Sequence, residues 1–85
     1  MPEEEVGFVE HWFGNVGVAA IKVTNGKIKV GDTLHFKGHT SDFQEPVASI
    51  QIEHKSVPEA KKGDDIGIKV SQKAHEHDKV FKVVP

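Results

Sequence analysis

The chain has 85 residues, no cysteine, eleven lysines, no arginine and a formal net charge of −2. That length allows one small domain. The lack of cysteine excludes disulfides, thiolate metal sites and cysteine nucleophiles. Without arginine there is no planar fork for guanine edges, which argues against tight sequence-specific DNA reading, although lysine still binds phosphate as a point charge.

The opening residues, Met1 to Glu5, are acidic and lack the basic flank and apolar run of a signal peptide. Residues 1–5 are expected to form a flexible acidic tail, and residues 6–85 the folded domain. The longest apolar run is Val18-Ala19-Ala20-Ile21, far below the about 20 residues that cross a bilayer. A soluble, cytoplasmic chain with no membrane partner is expected.

Strand signals then follow one another. Residues 6–13 mix β-branched and aromatic side chains and end at the turn pair Gly14-Asn15. Residues 16–24 are rich in valine and end at Asn25-Gly26, a strong turn dipeptide. The two segments predict a β-hairpin with His11-Trp12-Phe13 near its tip. Trp12 and Phe13 would stand at a barrel rim, either plugging the open end or forming a contact surface.

Residues 33–37 make a third strand, and 38–44 read as a polar surface loop. Residues 45–55 make a fourth strand, in which Val47 is out of phase with Ile50 and Ile52. A β-bulge near Ala48-Ser49 would reconcile the two phases. Pro58 to Lys62 is the best helical candidate, one turn long and stopped by Gly63. Residues 65–71 and 79–84 complete six strands. With no helix to cover a sheet face, they are expected to close on themselves.

One pattern recurs. Gly31-Asp32 leads into an apolar alternation, Gly63-Asp64 does the same, and His77-Asp78 gives a degraded third copy. Glycine supplies a positive φ and aspartate accepts nearby backbone N–H groups, so each copy predicts a structural turn into a strand.

The run Gly26 to Leu34, reading GKIKVGDTL, resembles the entry into the third strand of the second domain of translational GTPases, such as elongation factor Tu and bacterial initiation factor two. The run Ile50 to Lys55, then Val57, Ala60 and Gly63 to Ile68, resembles that domain's closing half. The likeness covers about residues 6–84. It implies an all-β fold, a single six-stranded Greek-key closed barrel of the translation-factor domain 2 kind. A similar barrel also closes some U32 peptidases. The sequence holds no G-x-x-x-x-G-K-[ST] loop, so GTP binding and hydrolysis are not carried over.

Lys22, Lys27, Lys29 and Lys37 face the single acid Asp32 within residues 22–37. They read either as a solvated face or as electrostatic contacts to RNA, with Trp12 as a stacking platform. His75 and His77, spaced as His-x-His beside Glu76 and Asp78, are weak zinc candidates in a polar connection, and no metal site is expected there. No serine sits in a nucleophile motif, so no enzyme activity and no cofactor are expected. The resemblance implies a translation-associated module contacting ribosomal RNA, tRNA or a translation factor. The alternatives are a protein-interaction module without nucleic acid and an accessory domain of a separate enzyme.

Overall fold

A computed structural model describes residues 3–39, 41–53 and 55–83. Ten strands follow in chain order: β1 (Glu3–Phe13), β2 (Val18–Val23), β3 (Lys27–Lys29), β4 (Thr33–Lys37), β5 (Asp42–Pro46), β6 (Ile50–Ile52), β7 (Lys55–Val57), β8 (Glu59–Lys61), β9 (Asp65–Lys69) and β10 (Lys79–Val83). Eight of them form one antiparallel sheet in the order β5-β4-β10-β1-β2-β9-β6-β7, and β3 pairs with β8 in a separate ribbon.

Alternation explains the core. In β2 the residues Ala19, Ile21 and Val23 point inward and Val18, Ala20 and Lys22 outward. Leu34 and Phe36 of β4, Ile66 and Ile68 of β9, and Val80 of β10 fill the same interior. The ribbon closes over it with Ile28 and Ala60, which are paired across β3 and β8 and fully or almost fully buried. Phe36 stacks on Phe43 of β5 with ring centroids 5.0 Å apart.

Two β-bulges in β1 set which side chains reach that core. The pairing with β10 slips between Glu5 and Gly7, and the pairing with β2 slips between Val9 and His11. An extra residue reverses the in-out phase beyond it. Val6 and Val9 are therefore both fully buried. Beyond the second bulge, Trp12 turns inward against the core while His11 and Phe13 turn out.

Several expectations are corrected. The fold is all-β, but it is not a closed six-stranded barrel. The eight-stranded ladder ends at β5 on one side and β7 on the other, with no pairing between them among the described residues. The ribbon bridges the opening instead. Gly31 N–H donates to the Val47 carbonyl (2.9 Å), Val47 N–H to the Asp32 carbonyl (2.8 Å) and Val30 N–H to the Pro58 carbonyl (3.1 Å). Proline lacks the N–H a ladder needs, and Pro46 ends β5 while Pro58 separates β7 from β8.

The expected fourth strand is thus split. Residues 47–49 are a break between β5 and β6 rather than a bulge, and β5 occupies part of the expected 38–44 loop. The helical candidate is strand β8. Glu3 to Glu5, expected in a tail, are paired with Val83 to Phe81 in β1.

The Gly-Asp pattern has the same geometry in all three copies. Gly31 (φ 99°), Gly63 (φ 96°) and His77 (φ 72°) are left-handed. The carboxylate of the following aspartate accepts the backbone N–H three residues before it: Asp32 from Lys29 (2.8 Å), Asp64 from Lys61 (3.0 Å) and Asp78 from His75 (2.9 Å).

Candidate functional site

The β1–β2 hairpin turns through Asn15, Val16 and Gly17. Val16 and Gly17 both donate their N–H to the Phe13 carbonyl, and Gly17 takes a φ of 68°. The turn leaves Phe13 and Val16 among the most exposed large apolar side chains, 48% and 59% accessible. Beside them the outer face of β2 and β9 carries small residues, Val18, Ala20 and Gly67. Gly67 lies directly opposite Ala20. A Cβ on Gly67 would come within 3.3 Å of a Val18 methyl, so its absence keeps the floor low.

The result is a groove of about 570 Å³, with Phe13 and Val16 as one wall and Gln51 and Glu53 as the other, Asp65 standing at its end. Its floor is apolar. Its polar groups are acceptors or an amide. Glu10, the extra residue of the second bulge, lies next to Asp65. The hydrogen bond that protonated Glu10 donates to the Asp65 carboxylate raises the Glu10 pKa above the ordinary carboxylate value, burial and the Asp65 charge add to this, and Lys22 opposes it. The Lys22 ammonium lies 3.5 Å from Asp65. A flat ring with N–H donors suits such a slot better than a free anion does.

The lysines singled out from the sequence do not form one patch. Lys22 and Lys37 are on the outer face of the large sheet. Lys27 and Lys29 are on the ribbon, where Lys27 lies directly opposite Lys61. The Lys82 ammonium donates to the Lys27 carbonyl at 3.0 Å. Trp12 is half-buried opposite Ala19 and packed on the core at the end of the hairpin.

Three histidines have side-chain partners. His75 is hydrogen-bonded to Ser41 (2.7 Å), and His11 to Glu76 (2.9 Å). His35 bridges Glu3 of β1 (2.8 Å) and Asp42 of β5. No group of three potential metal ligands occurs among the described residues, and His54 lies outside them. Among the described residues no helix is long and apolar enough to cross a membrane.

Sequence reasoning missed Ala20, Gly67, Gln51 and Asp65 as neighbours. Alternation places each on an outer face, but only the strand order brings β6, β9 and β2 side by side.

The fold is an open antiparallel β-ladder with a two-stranded ribbon across its opening and Gly-Asp turns leading into its strands. Residues 17–80 match the family model described as elongation factor Tu domain 2. The chain belongs to the elongation factor Tu domain 2 family.

Several curated relatives match, three of which show the range. An uncharacterized protease of Methanocaldococcus jannaschii is 38% identical over 78 residues, 91% of this chain and 19% of that protein. Elongation factor 1-alpha of Thermococcus sibiricus is 42% identical over 53 residues, 58% of this chain and 12% of that protein. A collagenase of Porphyromonas gingivalis is 31% identical over 72 residues, 84% of this chain and 20% of that protein. The chain thus spans a fifth or less of these relatives. Among solved structures, the C-terminal domain of a Geobacillus thermoleovorans protein assigned to the U32 peptidases superposes with a TM-score of 0.87 at 20% identity. That match covers 95% of this chain and 93% of the other, and it shows a shared fold.

Proposed function

We infer that this domain is a non-catalytic binding module that works in translation, and that its groove receives the unpaired end of an RNA chain. The observation that carries this is the groove itself, in a domain of the elongation factor Tu domain 2 family. Its low floor of Ala20 and Gly67 admits a flat base beside Phe13. Gln51, Glu53 and Asp65 offer hydrogen-bond partners to base amino groups. The RNA would be ribosomal RNA or tRNA, with a translation factor as neighbour.

A fluorescence titration tests it, using RNA of about 12 nucleotides with its 3′ end either single-stranded or paired in a hairpin. The open end binds more tightly, and Phe13→Ala weakens it about tenfold, the range expected when one base loses its stacking partner. Equal affinity for the two RNAs, or none for either, overturns the reading.

The acidic rim of Glu10, Glu53 and Asp65 and the net charge of −2 favour a second reading, a protein partner without nucleic acid. A purified translation factor that binds after nuclease treatment, with binding abolished in Phe13→Ala, would support it.

A further inference from the structure

On the outer face of the large sheet the directly paired residues run in one row. Asp42 of β5 faces Lys37 of β4, Lys37 faces Lys79 of β10, Lys79 faces Phe8 of β1, Phe8 faces Lys22 of β2, and Lys22 faces Asp65 of β9. Neighbours in such a row are about 4.8 Å apart. Its middle holds three ammonium groups and a phenyl ring that is 36% accessible.

One feature of this row opposes folding. Like charges directly opposite one another destabilise a sheet, and Lys37 and Lys79 are such a pair. Neither takes part in the ion pairs found among the described residues. Between Lys79 and Lys22 stands the partly exposed Phe8 ring.

Beside the pair is a concavity of about 410 Å³ bounded by Lys37, Lys79, His77, Gly38 and Phe81, with no carboxylate in its lining. His77 holds a left-handed φ of 72° there. The acids Asp42 and Asp65 are at the two ends of the row and mark its limits.

We propose that this face is a track for single-stranded nucleic acid, in which Lys37, Lys79 and Lys22 contact successive phosphates while Phe8 and Phe81 stack bases. The chemistry matches the residues. Phosphate neutralises the facing Lys37 and Lys79 ammonium groups, and bases have π-faces that cover partly exposed rings without selecting sequence. The track is separate from the groove and needs no strand end, so it stands or falls independently of the function inferred above.

The discriminating ligand is a circular single-stranded oligonucleotide of about 12 nucleotides, which has no end to enter the groove. The full chain binds it at about 50 mM salt, and the affinity falls with rising salt. Replacing Lys37→Ala with Lys79→Ala weakens binding at least about tenfold. It also lowers the slope of log K against log salt by about 1.4, since each single-strand phosphate that a lysine neutralises accounts for about 0.7. The same double variant melts at a higher temperature than the parent, because the repulsion is gone. Phe8→Ala weakens binding about tenfold.

Lys55→Ala with Lys61→Ala removes equal charge from other elements and leaves affinity and slope unchanged. Photocrosslinking of the unaltered chain to the circle labels Phe8 or Phe81. No binding of the circle overturns the track, as do equal losses of affinity in the two double variants or crosslinks confined to Phe13.

Discussion

Asp78 sits against the open side of Gly38: a Cβ built on that glycine would overlap the carboxyl group. Asp78 is 3% accessible and its carboxylate accepts the His75 N–H, so it has no free direction in which to withdraw. Gly38→Ala should therefore either displace a buried carboxylate or break its bond. The expected cost is about 1–3 kcal/mol. Thermal unfolding followed by circular dichroism checks it, with a drop of about 4–8 °C per kcal/mol for a domain of this size.

Gly7→Ala should cost more than Gly38→Ala. The atom in its way is the Lys22 backbone carbonyl on the neighbouring strand, with Val23 Cα also within 3.3 Å. A side chain can rotate, but a paired strand must move as a whole. The same melting measurement ranks the two variants, and a milder effect at Gly7 would show that β1 is free to slide.

His77→Gly should stabilise the domain by about 0.5 kcal/mol. The left-handed conformation costs a residue with a Cβ about 1–2 kcal/mol, and glycine's greater freedom in the unfolded chain returns part of that. The equivalent positions in the other two turns are already glycine, at φ 99° and 96°. The urea midpoint should rise without a change in slope.

His35 ties three strands together, and its pKa is raised from the ordinary value of 6.5. The hydrogen bond to Asp42 raises it most and that to Glu3 adds to it, with the charges of both acids in the same direction; burial opposes them. Phe81 of β10 also packs beside the ring. A raised folded pKa means that the stabilisation is complete below 6.5 and is lost as pH rises through the higher folded value. The Asp42 pKa is lowered from 3.8, chiefly by its hydrogen bond to His35. Its share is complete above 3.8 and is lost as pH falls through the lower folded value. The urea midpoint should therefore decline in the parent as pH rises above about 6.5. His35→Gln should flatten that decline.

The Gly-Asp turns were legible because their physics is local: a left-handed residue and an acceptor three positions from its donor lie within one short peptide. The bend at Asn25-Gly26 and the inward phase of β2, β4 and β9 were legible for the same reason. The tip of β1 was not. A single extra residue at Glu10 decides whether Trp12 or Phe13 faces water, and nothing in the run VEHWF marks where the ladder slips.

The sequence by itself determined an all-β chain with Gly-Asp bends and the family these bends identify, since alternation and turn chemistry act between near neighbours. Only the tertiary structure decided that the ladder stays open at β5 and β7 under a two-stranded ribbon. It also separated Lys27 and Lys29 from Lys22 and Lys37, and brought Lys37, Lys79, Phe8 and Lys22 into one row. Adjacency between strands far apart in the chain follows from how the whole core packs, and no local run of residues encodes it.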